Sequence, residues 1–124
     1  MPSPTTPNRA LADLATMLGD DNVRTLVRTF LRDFPLGLKD LSGGERRNRH
    51  RVAHSMKSSS RLMGAQALSQ RMADLEARLA EENGGDVTAD EIASIARDYE
   101  TIAAPLRAFA GEDAGAAQLS TRPA

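Results

Sequence analysis

The sequence predicts an all-α fold: an antiparallel, up-down-up-down four-helix bundle with a short N-terminal helix capping one end. Three observations lead there. Apolar residues recur at three- and four-residue spacing through four long segments. The connections between those segments are brief and rich in Gly, Asp and Asn, which makes consecutive helices antiparallel neighbours. No stretch reads convincingly as a strand. With 40% of residues hydrophobic and only 3% aromatic, the core is expected to be aliphatic, a composition suited to helix packing.

Met1 to Asn8, with three prolines, reads as a flexible lead-in, and Thr6-Pro7 or Asn8 is placed to cap a short helix carrying Leu11, Leu14, Ala15 and Leu18. Gly19-Asp20-Asp21 breaks it, and either Asp can cap the second helix. That helix is the strongest amphipathic segment, with Val23, Leu26, Val27, Phe30, Leu31, Phe34, Leu38 and Leu41 on one stripe. Pro35 interrupts it without shifting the phase of the stripe, which predicts a kink rather than two helices. After the Ser42-Gly43-Gly44 turn, Glu45 starts a third helix, where an acid favours the positive end of the dipole. Gly64 marks the turn out of it. Leu68, Met72, Leu75 and Leu79 step along the fourth helix, and the Glu81 to Asp86 loop is expected to be exposed and mobile. Thr88-Ala89-Asp90-Glu91 has the capping-box pattern, with Val87 and Ile92 spaced to form a hydrophobic staple. The last helix follows, its seam running Ile92, Ile95, Tyr99, Ile102, Leu106, Phe109, with Pro105 kinking it or lying on its outer side. The chain thus divides into a lead-in (1–8), a bundle (9–110) and a tail (111–124) expected to be disordered.

At 124 residues this is a single-domain length. The absence of cysteine removes disulfides, thiolate metal sites and thiol nucleophiles, and fits a reducing compartment. No apolar run is long enough for a membrane span and the N-terminus is unlike a signal peptide, so a cytoplasmic location without membrane association is expected. A monomer is expected because the bundle itself uses every apolar stripe. The net charge of −1 argues for neither nucleic acid nor an anionic surface, but its distribution is uneven. Between Arg46 and Arg61 lie six cationic side chains (Arg46, Arg47, Arg49, Arg51, Lys57, Arg61) and no acid.

That basic helix also carries His54. At about 100° per residue, Arg47, His50, Arg51, Ser58 and Arg61 share its face and Lys57 flanks it, while Val52, Met56, Ser59 and Met63 fall on the opposite, inward side. A solvent-facing histidine is commonly an ordinary surface residue, but it is also the side chain best suited to group transfer near neutral pH. For that, one ring nitrogen must be open and the other held by an acceptor. Glu76, at the edge of the next helix's seam, is the candidate acceptor, or else a rim carboxylate in a loose ion pair. Lys57 is suited to the oxygens of a phosphoryl group on the ring, and Ser58, being small, leaves room for a partner. Gly64 also reads as a plain turn glycine. Rival readings are nucleic-acid binding along the arginines, which lack aromatic stacking partners; a His50/His54 metal site, which lacks further ligands; and a receiver-binding bundle without chemistry.

These residues resemble a known family. His54, Lys57, Ser59, Gly64 and Ala65, followed by Leu75-Glu76, look like the histidine-containing phosphotransfer (HPt) domain, whose usual run is His-x-x-Lys-Gly-Ser-x-x-x-x-Gly-Ala. The helix order and the Phe-Leu-x-x-x-Pro run of Phe30 to Pro35 fit as well, so the resemblance covers roughly residues 9 to 110. It implies that His54 accepts a phosphoryl group from a receiver-domain aspartate, or from a hybrid histidine kinase relay, and passes it to a response regulator. Lys57 is then the phosphate-side lysine and Glu76 the residue that hydrogen-bonds the ring. Ser58 departs from the family's usual glycine, which bears on partner choice or rate. No P-loop or glycine-rich nucleotide loop is present, so the chain is expected to carry phosphoryl groups without an ATP site or cofactor, any Mg²⁺ coming with the receiver.

Overall fold

A computed structural model describes residues 6–111, and among them the chain forms five helices and no strand. They are α1 (Arg9–Leu18), α2 (Asp20–Leu41), α3 (Arg46–Leu62), α4 (Gln66–Ala80) and α5 (Ala89–Ala110). The apolar stripes meet in one core: Val23, Val27, Leu68, Met72, Ile95 and Leu106 are all at most 1% exposed. The core is mainly aliphatic, yet the few aromatics concentrate inside it. Phe34 stacks on Tyr99 with centroids 4.8 Å apart, and Phe30 tilts against both. Residues 1–5 of the lead-in and 112–124 of the tail lie outside the described residues.

Helix termini depart from expectation more than helix interiors do. Asn8, one of the two caps offered for α1, does cap it, its Oδ1 accepting from the Leu11 N–H at 3.0 Å; beyond that expectation, its Nδ2 donates to the Met63 carbonyl at 2.8 Å. Neither Asp20 nor Asp21 caps α2. The turn out of α1 needs φ +88 at Gly19, a conformation costly for any side chain, so Gly19 becomes the cap and both acids move into the first turn, where they complement the dipole. Glu45 is likewise the N-cap of α3 rather than its first residue, and its side chain makes no capping bond. The capping box at Thr88 and Glu91 forms as read, and Val87 and Ile92 both pack against the core.

Both interior prolines are accommodated in continuous helices. Pro35 lacks an N–H, so the Leu31 carbonyl, four residues earlier, loses its intrahelical donor. Tyr99 of α5 supplies the replacement, its hydroxyl donating to that carbonyl at 2.9 Å in a buried position. Pro105 sits on the exposed side of α5.

Arginines tie the remaining loose ends. Arg24 and Arg28 of α2 donate to the Phe109 and Ala110 carbonyls at the end of α5, with the Arg24 guanidinium over the Phe109 ring. Arg46, at the start of α3, donates to the Arg78, Leu79, Glu81 and Gly85 carbonyls at the end of α4 and in the loop after it. Arg49 pairs with Asp86. The 81–86 loop is mostly exposed as expected, and these two arginines bond it to the start of α3.

Candidate functional site

The inward stripe of α3 is Ala53, Met56, Ser60 and Met63. Val52 and Ser59, expected on that stripe, are only half-buried, because the line of contact drifts by one residue along the helix. His54 stays outward, its side chain 57% exposed. Opposite it, Leu75 and Leu79 anchor α4 to the core and leave Glu76 at the edge of the seam, 17% exposed. The buried Ser69 hydroxyl of α4 donates to the Lys57 carbonyl of α3 at 2.9 Å, fixing the two backbones together near the histidine. Sequence reasoning passed over Ser69; its trace was a small polar residue beside Leu68 on an otherwise apolar stripe.

Three side chains converge. Glu76 Oε2 lies 2.5 Å from His54 Nδ1, and Glu76 Oε1 lies 2.6 Å from Lys57 Nζ. The Lys57 ammonium, and after it the ring of His54, hold the Glu76 carboxyl below its ordinary value against the opposing effect of burial. With Glu76 ionised, Nδ1 has to be the donor, which leaves the Nε2 lone pair free on a mostly exposed ring. The arrangement is an oriented imidazole with a cation on the same carboxylate, the geometry that a nucleophilic ring nitrogen requires. Lys57, expected beside an incoming phosphoryl group, is bound to Glu76 in this state.

The other expected site residues fall into two groups. Arg47, Arg51, Ser58 and Arg61 are exposed on the His54 side of α3, and His50 is half-buried one turn before it. The three arginines pair with no acid among the described residues. Ser58 and Arg61 line a polar groove between α3 and α4 together with Lys57, Gln66, Ser69 and Gln70. Gly64 does not join them. It is the φ +78 turn at the end of α3, and a Cβ there would lie 2.5 Å from Asn8 Oδ1. The basic field is also thinner than the sequence suggests, since Arg46 and Arg49 are consumed by the 81–86 loop. Among the described residues no group of three or more His, Asp or Glu side chains is placed to hold a metal ion, and no helix is long and apolar enough to cross a membrane.

No curated protein and no solved structure matches the chain. A family model does: the Hpt domain, over residues 21–105, which takes in α3, α4, the three converging side chains and most of α2 and α5. That match spans well over half of the chain, and with it the chain belongs to the Hpt domain family, the helical phosphocarrier modules of histidine phosphorelays.

Proposed function

We propose that His54 is the residue that carries the phosphoryl group, accepting it from a receiver-domain aspartate, or from a hybrid histidine kinase relay, and passing it to a response regulator. The observation that carries this reading is the Glu76 bridge to Nδ1, which presents Nε2 outward. The Nε2 lone pair attacks phosphorus, the N–P bond forms as the acyl P–O bond breaks, and the aspartyl carboxylate leaves. The Nδ1 proton stays in place while positive charge grows on the ring, and Glu76 stabilises that charge. Lys57 exchanges its bond to Glu76 for the phosphoryl oxygens. Catalysis is positioning and electrostatics, and Mg²⁺ belongs to the receiver. Arg47, Arg51 and Arg61, with His50 and Ser58, form the face that meets the acidic partner.

The architecture that supports this is an antiparallel up-down-up-down bundle of α2 to α5 with α1 across one end. Arg46 joins the start of α3 to the end of α4, and Arg24 joins the start of α2 to the end of α5. We take the protein to act as a cytoplasmic monomer. The nucleic-acid reading loses support, because two of its six cations are engaged internally.

Incubation with a phosphorylated receiver domain is expected to transfer label to the protein in an acid-labile, base-stable linkage, and His54→Gln is expected to abolish it. Label persisting in that variant overturns the assignment of His54.

A further inference from the structure

Hydroxyl side chains on a helix commonly bond to their own backbone. Thr16, Thr25, Thr29 and Thr101 do so here, each donating to the carbonyl four residues earlier in its own helix. Ser69 does not. It is buried within α4, and its hydroxyl crosses to α3 to meet the Lys57 carbonyl at 2.9 Å. Lys57 lies inside α3, where the helical ladder already offers its carbonyl the N–H of Arg61, so Ser69 occupies the second lone pair. The α3 backbone is therefore satisfied without Ser69. What the bond supplies is a tie between two helices.

That tie lies beside the reactive group. Ser69 precedes Glu76 by two turns, ~10.5 Å along α4, a seven-residue step that returns to nearly the same face. Both residues contact Lys57, Ser69 at its carbonyl and Glu76 at its ammonium. The lysine is thus held at both ends by α4. Apart from the contacts of Glu76 itself, the side-chain hydrogen bonds between α3 and α4 among the described residues are those of Arg46, eight residues before His54, and that of Ser69. The two carboxylate contacts are short, 2.5 Å to His54 Nδ1 and 2.6 Å to Lys57 Nζ. Such bonds weaken past ~3.2 Å, so a slide of ~1 Å between the helices is enough to loosen them.

We infer that Ser69 is a positioning residue for phosphotransfer: by holding the Lys57 carbonyl it fixes the slide of α3 against α4 that keeps His54 and Lys57 on the Glu76 carboxylate. This rests on the phosphotransfer reading of His54. The molecule carries its own control in Ser60, a fully buried serine of α3 whose hydroxyl has no hydrogen-bond partner among the described residues. A buried hydroxyl as such does not position the site; one that spans the two helices does.

The test follows labelling of the whole protein by phosphoramidate, which needs no docking surface, and by a receiver domain phosphorylated with acetyl phosphate. Ser69→Ala is expected to slow labelling about two- to tenfold with either donor, the loss falling on kcat for the receiver while KM is preserved. The Glu76 midpoint in a carboxyl NMR titration is expected to move up, because Lys57 is no longer held on the carboxylate. Ser69→Thr keeps the hydroxyl, and the polar groove that Ser69 lines has room for the added methyl, so it is expected to restore both rate and midpoint. Ser60→Ala is expected to match the parent protein in both. Parent-like labelling in Ser69→Ala, slowing without movement of the Glu76 midpoint, or equal slowing in Ser60→Ala overturns the positioning role. If the parent protein takes label from neither donor, the phosphotransfer reading itself falls.

Discussion

Glu76 faces two basic groups through two different oxygens, so its charge state governs both. Its carboxyl is held below the ordinary 4.5, chiefly by Lys57. A depressed carboxylate contributes its full stabilisation above the ordinary value and loses it as pH falls through the depressed one. Phosphoryl acceptance is therefore expected to lose Glu76's support only at distinctly acid pH, as the carboxylate becomes protonated below its ordinary range. Lys57→Ala removes the largest cause of the shift. Its expected result is slower transfer or a shorter-lived phosphohistidine, an upward move of the Glu76 midpoint in a carboxyl NMR titration, and a stability change within about 1 kcal/mol, because the pair is partly solvated. An unmoved Glu76 midpoint would show that Lys57 does not set the carboxylate. Glu76→Ala is expected to reduce the transfer rate constant by freeing the ring, and an unchanged rate would mean that another group orients it.

At the scale of elements, the ends of α4 and α5 are met by arginines from other helices in addition to their own C-cap turns at Glu81 and Gly111. Arg46→Met leaves carbonyls at the end of α4 without their donor. It is expected to cost about 1–3 kcal/mol in denaturant unfolding, with amide exchange accelerating most in residues 81–86. Uniform acceleration across all helices would indicate global loss rather than a released clasp. This clasp also marks a boundary of what the sequence makes legible. The apolar periods and the local signals are readable because they act within a few residues, as in the Thr88–Glu91 capping box. Arg46 lies 32 to 39 residues from the carbonyls it meets, so a run of arginines reads as a basic surface until packing shows which of them turn inward. The same holds for the site. His54, Lys57 and Glu76 are recognisable by spacing along their helices, whereas the contact of Asn8 with Met63 spans 55 positions and leaves no local trace.

For the molecule as a whole, the bond between Tyr99 and the Leu31 carbonyl joins α5 to α2 at the point where Pro35 breaks the ladder. Tyr99→Phe strands a buried carbonyl and is expected to cost about 1–3 kcal/mol. Pro35→Ala restores the missing N–H, so in that background the same Tyr99→Phe change is expected to cost less, a coupling that a double-mutant cycle in chemical denaturation measures directly. Strictly additive effects would mean that the hydroxyl does not stand in for the missing helical donor. The aromatic stack of Phe34 and Tyr99 lies at the same place, so the cycle is best read with Phe rather than Ala at position 99.

The Pro35 gap has a kinetic meaning too. A segment that cannot finish its own ladder relies on a distant one to finish it, so the second half of α2 gains little by ordering early and alone. The late-arriving C-terminal helix, 68 positions away, has to be in place before that stretch reaches its final stability. The final stability of this stretch is thereby tied to closing a loop of 68 positions.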